Sequence, residues 1–255
     1  ENNLITDHSS HGVDVNYSYA VPVLVRNNTI SRNGGHGINY YYSTLTIENN
    51  TITNNTNYGI FSSSPYLSPE IKGNTITGNE KPARLLASAL PGALSGNTLF
   101  PNTVNQLEIL GSAIDRDITL TSDLTYYQVA GTVTVNAGAT LRLMPGVVWK
   151  MPNANNYLTI NGALTAVGTS DEKIVFTSYR DDSVGGDRNG DGYSEGAPGD
   201  WAYISFGNTV IDFITRLEHV VVRFGGRSNN NSVVLSNTNM TITDSEISQS
   251  AYRGL

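Results

Sequence analysis

The sequence predicts an all-β chain wound as a right-handed parallel β-helix, a solenoid of about eleven coils. Three observations predict it. The triplet Asn28-Thr29-Ile30 returns as Asn50-Thr51-Ile52, Asn74-Thr75-Ile76 and Asn97-Thr98-Leu99, with a looser copy at Asn3-Leu4-Ile5; successive copies stand 25, 22, 24 and 23 residues apart. A fixed period of this length marks a unit that stacks on its own copies. Apolar residues recur in brief runs: Leu24 and Ile30 on either side of Arg26, then Leu45, Ile47 and Ile52, then Ile71 and Ile76. Alternation over three to five residues is the pattern of a strand with one buried face. The rest of the composition is rich in Asn, Thr, Ser and Gly, with only 38% apolar residues. Asn, Ser and Thr compete for backbone hydrogen bonds and Gly costs helix entropy, so the mixture suits short strands and many turns.

Each unit of about 23 residues has room for three such strands and cannot bury its apolar face alone. Asn tolerates the left-handed conformation of a turn corner, and Asn over Asn in successive coils makes an amide ladder. Further along, Thr132 to Leu141 and Leu158 to Ala166 each read as strand, Asn/Gly corner, strand, with Met144 to Met151 a turn and strand between them. The segment Pro82 to Leu94 could form one or two helical turns, but Gly96-Asn97-Thr98-Leu99 keeps the phase and favours a strand-bearing coil. Met240 to Ile247 aligns with Leu45 to Ile52, so the repeat returns near the end. No linker is visible. The organisation expected is one continuous β-helix over residues 1–255, a fragment of a longer chain, with an inserted acidic loop at 180–200.

The net charge of −7 and the lack of any basic run exclude a phosphate-gripping surface, so no nucleic-acid partner is expected. No stretch approaches the roughly 20 apolar residues that span a bilayer, so no membrane insertion is expected either. Cysteine is absent, which excludes disulfides and thiolate metal sites.

The Asn-Thr-Ile coils resemble the right-handed β-helix repeats of bacterial surface proteins, polysaccharide lyases and phage tailspikes. Leu141 to Met151, Leu158 to Thr169, Glu172 to Ser178 and Gly199-Asp200-Trp201 are similar to a stretch common in large secreted bacterial β-helix proteins, which are adhesin-like. The resemblance implies the pectate-lyase-like superfold and an extracellular or cell-surface location in a bacterium. It implies no reaction.

The loop from Arg180 to Glu195 carries the sharpest chemistry. Asp187-x-Asn189-x-Asp191-Gly192 matches the first half of a calcium loop: oxygen side chains at positions 1, 3 and 5, Gly at 6, the Tyr193 carbonyl at 7 and Glu195 at 9. Pro198 stands at position 12 in place of the bidentate Glu, so Asp181, Asp182 or Asp200 would have to close the shell. Five carboxylates within fifteen residues repel one another unless a cation is present. Structural calcium is the expectation; a solvated acidic turn is the plain alternative. Read instead as catalysis, Asp181 and Asp182 with Arg180 would suit a glycoside hydrolase or a uronate lyase. Against that, no Asp, Lys and Arg cluster is seen at matching phase in successive coils, and the Asp-Pro-His-Glu run of alginate epimerases is missing. No catalytic residue is assigned.

His11 and His36 fall at one phase, 25 residues apart, and are expected to stack as a solvent-facing pair or, less simply, to bind a metal. Tyr17, Tyr19, Tyr40, Tyr41 and Tyr42, with Tyr58 and Tyr66, concentrate in the first three coils. Tyr offers an apolar body and a polar tip, as carbohydrate recognition requires, so a glycan-binding strip is a candidate beside plain corner-filling. The function expected is a non-catalytic surface module acting as spacer, adhesive face or filament subunit; a polysaccharide lyase or glycoside hydrolase on the same scaffold is the alternative. Partners would be flanking domains or copies of itself, which cover the open strand edges, and a cell-surface glycan.

Overall fold

Short strands of two to six residues, paired in parallel with strands one coil away, make up almost all regular structure among the described residues. A computed structural model describes residues 1–62, 67–153, 155–187, 192–228 and 230–255. The chain divides into two compact units, Glu1–Ile109 and Leu110–Leu255.

In the first unit three parallel sheets share the coils. One stacks Leu4–Thr6, Thr29–Ser31, Thr51–Thr53 and Thr75–Thr77; a second stacks Val13–Asn16, Ile38–Tyr41, Tyr58–Ser62, Lys81–Leu86 and Gln106–Leu110; a third stacks Val23–Arg26, Leu45–Glu48 and Glu70–Lys72. Register places like on like. Ile30 pairs with Ile52 and Ile52 with Ile76, all fully buried. Val25 pairs with Ile47 and Ile47 with Ile71. The inward residue of Val23–Arg26 is therefore Val25, while Leu24 is 42% exposed. The run Val-Leu-Val hides its phase in sequence, and the Ile column decides it. The Pro82–Leu94 segment holds both features weighed for it: the strand Lys81–Leu86, then a 3-10 turn Ala87–Ala89 and a single helical turn Leu90–Ala93 opened by Pro91. Pro is tolerated in a first turn because its missing N–H would have had no partner there.

Two amide ladders stitch the corners. Asn28, Asn50 and Asn74 each donate both their backbone N–H and their Nδ2 to the Oδ1 of the ladder residue one coil on, at 2.8–3.0 Å, ending on Asn97. A second ladder runs through Asn33, Asn55, Asn79 and Asn102 in the same way. The residue before every ladder position but Asn102 is left-handed: Asn27, Asn49, Gly73 and Gly96 before the first, Arg32, Asn54 and Gly78 before the second. Such a corner turns the chain from one sheet to the next, and the following Asn satisfies the backbone N–H that the turn frees. Gly12, Gly37 and Gly59 lie under the second ladder. A Cβ at any of them would run into the Ile and the Asn amide of the coil.

The second unit keeps three parallel columns: Ala113–Ile114 to Val233–Leu235, Ile118–Leu120 to Thr241–Thr243, and Thr125–Ala130 to Glu246–Ser248. Its interior is bulkier, with Tyr126, Trp149, Phe176, Trp201 and Phe206 fully buried. Counted by the longest column, each unit has five coils, so the chain makes about ten turns rather than eleven. The missing coil is the inserted loop: Phe176 pairs directly with Val222, 46 residues on.

Candidate functional site

The same corner rule that builds the ladders presents the tyrosines. Tyr17 and Tyr42 occupy left-handed corners with φ +56° and +49°, and Ser18 and Ser43 follow them as the ladder position, the Ser18 N–H donating to Ser43 Oγ at 3.0 Å. At such a corner the side chain leaves the coil outward. Tyr17 and Tyr19 are 67% and 61% exposed. Tyr17 meets Tyr41 edge-on at 5.2 Å and Tyr19 meets Tyr42 edge-on at 5.7 Å, the preferred geometry for aromatic pairs. With Leu67 these four rings line an open groove of about 510 Å³. Tyr40 does not belong to it. Strand alternation sends Tyr40 inward, where it is fully buried, and its hydroxyl pKa is raised by desolvation. Tyr66 lies outside the described residues.

Next to the tyrosines, the outer face of the Val13–Asn16, Ile38–Tyr41 and Tyr58–Ser62 strands is polar and aromatic. Asp14 accepts from Asn16 and Asn39, each at 2.9 Å. His11 stacks on His36 at 4.7 Å and 3°, and His36 stacks on Phe61 at 4.2 Å and 4°. Arg84 lies over the far side of this column, 5.1 Å from the Phe61 ring centre. The backbone N–H of His36 donates to His11 Nδ1 at 2.9 Å, and that of Tyr58 donates to His36 Nδ1 at 3.3 Å. In each ring the Nδ1 lone pair is thus taken up by a backbone N–H of the following coil. Their planes are parallel, so the remaining nitrogens do not converge on one ion, which speaks against the metal reading of the pair.

Sequence reasoning missed a buried polar row in the next coils. Glu108, 5% exposed, accepts at one oxygen from Tyr58 Oη (2.8 Å), Lys81 Nζ (2.8 Å) and Gln106 Nε2 (3.3 Å). Tyr58 and Lys81 are register partners, 23 residues apart, and that phase match was the available signal.

In the second unit the acidic loop is fastened to the sheet. Asp181 is buried and receives Thr177 Oγ1, Ser183 Oγ at 2.6 Å and Arg223 Nε at 2.8 Å. Burial pushes its carboxyl up, but those hydrogen bonds and the Arg223 charge outweigh it and leave the group below the ordinary aspartate range. The fully buried Lys150 donates to the carbonyls of Asp181 and Gly186, each at 2.9 Å. Tyr127 and Tyr179 stack at 3.7 Å on the same part of the sheet. By register Lys150, Thr177 and Arg223 stand at one phase. Lys150 and Arg223 thus share a phase that the 46-residue coil conceals, with Thr177 between them, while Asp181 reaches them from the loop and not from a coil position of that phase. The partner of Asp181 is Arg223, not the neighbouring Arg180.

The remaining calcium candidates have separate partners. Asp182 Oδ2 accepts from the Ser194 N–H (2.7 Å) and hydroxyl (3.1 Å), while its Oδ1 is buried with no partner among the described residues. Asp187 accepts from the Gly192 N–H at 3.0 Å, and Gly192 has φ +85°. Asp200 accepts from Ser178 Oγ and the Ala197 N–H. The Tyr193 hydroxyl donates to Glu195 at 3.3 Å. Asn189 and Asp191 lie outside the described residues. Among the described residues, no three His, Asp or Glu side chains converge on a metal position.

Among the described residues no helix is long and apolar enough to cross a membrane. Residues 1–115 match the family model of the right handed beta helix region, and residues 111–191 match that of the pectate-lyase like beta helix domain. No curated protein and no solved structure matches the chain. The matched segments, the in-register coils and the ladders agree: the chain belongs to the right-handed parallel β-helix repeat proteins.

Proposed function

We propose that this chain is a non-catalytic β-helix module of an extracellular bacterial protein that holds a glycan in the tyrosine groove of its first unit. The observation that carries the reading is the set of four rings, Tyr17, Tyr19, Tyr41 and Tyr42, around one open groove, two of them, Tyr17 and Tyr42, on left-handed corners. Fixed aromatic faces bury the C–H faces of sugar rings without paying side-chain entropy, and Asn16, Asn39 and Asp14 on the adjoining strand face supply hydroxyl partners. The edge strands Leu4–Thr6, Val13–Asn16 and Val23–Arg26 are covered, on this reading, by a flanking domain or a second copy. Titration against a panel of soluble neutral and acidic polysaccharides tests it. Wild type should bind at least one, and Tyr17→Ala with Tyr19→Ala should weaken that binding about tenfold or more with little change in melting temperature. A wild type that binds none of the panel sinks the reading.

Calcium on the loop of the second unit belongs to the same proposal, as a structural ion. Two features support it: the Asp187 carboxylate and the Gly192 N–H close the turn as a calcium loop needs, and Asp182 Oδ1 is a buried acceptor left over. Asp181 and Asp200 are committed elsewhere, so Asp182 is the carboxylate that would complete a shell begun by Asp187, Asn189, Asp191, Tyr193 and Glu195. Calcium added to metal-free protein should raise the melting temperature, and Asp182→Asn should reduce the gain; an unchanged melting curve ends this part.

The alternative, a polysaccharide lyase or glycoside hydrolase, has the phase-matched Lys150, Thr177 and Arg223 with Asp181 in its favour. Lys150 is fully buried, however, and Asp181 is sealed and held ionised, which suits a lock better than an acid or base that meets substrate. Degradation assays decide. Turnover of any polysaccharide by the wild type, lost in the near-isosteric Asp181→Asn, would establish the enzyme.

A further inference from the structure

We propose that the stacked pair His11–His36 is an acid-released latch on the tyrosine-bearing strands: neutral rings hold the first coils together, and protonation opens them and loosens the groove. The opening stands on the geometry of the stack; its consequence for a ligand rests on the glycan reading above.

Each ring uses Nδ1 to accept a backbone N–H from the following coil, His11 from His36 and His36 from Tyr58. An imidazolium carries N–H at both nitrogens, so neither nitrogen can accept. Flipping the ring changes nothing, and a charged ring must leave the stack. The surroundings add to the cost. His36 faces His11 on one side and Phe61 on the other, with Arg84 beyond Phe61 and Tyr58 at the edge. Lys81 and Glu108 pair with each other next to Tyr58. Asp14 is the one nearby acid that favours a charged His36, and its carboxylate already serves Asn16 and Asn39. Burial first, then the charges of His11 and Arg84, bring the His36 pKa down to about 4.

The sign follows from linkage. A ring with a pKa of about 4 in the closed coils and the ordinary 6.5 once released binds more protons when open. Closure is fully favoured above pH 6.5 and weakens as pH falls towards 4. His11 and His36 lead directly into Val13–Asn16 and Ile38–Tyr41, and Tyr17, Tyr41 and Tyr42 end those strands. Release therefore reaches the rings that line the groove.

Hydrogen exchange of the intact chain at pH 7.5 and 4.5 tests the latch, with rates corrected for the intrinsic effect of pH. In wild type, opening at the Tyr58 amide, which His36 Nδ1 accepts, should rise about a hundredfold between the two conditions. The amides of Asn50 and Asn74, on the ladder, should not follow. A double variant, His11→Asn with His36→Asn, keeps an acceptor oxygen near each Nδ1 but cannot titrate, and its opening should change less than about threefold. A wild type that changes as little as that, or a double variant that follows wild type, overturns the latch. If the double variant does not fold, NMR titration of wild-type His36 decides, since a pKa at or above 6.5 is incompatible with it. Failure of glycan binding with pH-dependent opening intact would sink the groove reading and leave the latch standing.

Discussion

The two units stack coils by different means. In the first, the coils are 22 to 25 residues long and the corners are stitched by two continuous amide ladders, whose inner members are buried and bonded on both sides. In the second, the corners of the early coils are Gly131, Gly138 and Gly146, and the load shifts to the interior, where Tyr126, Trp149 and Phe176 pile up in register at 6.4 and 6.5 Å. Regular polar corners demand nearly constant coil length. An aromatic column tolerates a coil twice as long, because only the strand has to keep phase. That difference explains why the second unit, and not the first, accommodates a 25-residue loop over its sheet.

The largest effect should come from cutting a ladder in its middle. Asn50 Nδ2 donates to the Val25 carbonyl and to Asn74 Oδ1, and its own Oδ1 accepts both N–H groups of Asn28. Asn50→Ala leaves those partners buried and unsatisfied, and should cost about 3–5 kcal/mol in urea unfolding. Asn239→Ala, an exposed Asn of the second unit, should cost less than about 0.5 kcal/mol. Similar losses at both sites would erase the distinction between the units.

The second effect probes what holds the long coil. Asp181→Ala strips the buried Arg223 ion pair and the Thr177 and Ser183 hydrogen bonds, and should cost about 3 kcal/mol at neutral pH. Because the Asp181 pKa lies below its ordinary value of 3.8, its contribution is present above that pH and is lost as pH falls through the depressed value. The difference between wild type and variant should therefore shrink in acid. A difference that does not shrink as the pH falls would show that the loop is held by something else.

What was legible in the sequence follows the same division. The first ladder announces itself because Thr and then Ile or Leu follow each Asn. The second has no such tag: Asn33 precedes Gly34, Asn55 precedes Thr56 and Asn79 precedes Glu80. Its signal was a constant offset, since each member stands five residues after its counterpart in the first. The His11–His36 stack was legible from spacing alone. Tyr40 was not separable from Tyr41 and Tyr42 by composition; alternation sorts them once the strand Ile38–Tyr41 is fixed. Lys150 reads as an outward, solvated residue between inward Trp149 and Met151, and only the returning loop buries it. No local pattern encodes a cover that comes from thirty residues away.

The smallest effect sharpens the comparison at one corner. His219 is left-handed, with φ +50°, in a unit whose earlier corners are glycine, and its backbone N–H donates to the Thr243 carbonyl. It holds the place that Asp244 holds one coil on, each followed by a strand: the Val220 N–H donates to Ser245 Oγ just as the Ser18 N–H donates to Ser43 Oγ. His219 is thus a ladder-type corner without an amide to reward it. An L side chain in that conformation costs about 1 kcal/mol, and a glycine there gives back roughly half of the gain through unfolded-chain entropy. His219→Gly should therefore stabilise by about 0.5 kcal/mol, whereas Asn54→Gly should gain less or nothing, because Asn adopts the left-handed corner with less strain than His. Equal gains at the two positions would mean that corner strain is the same in both units, and that the ladders contribute through their buried amides alone.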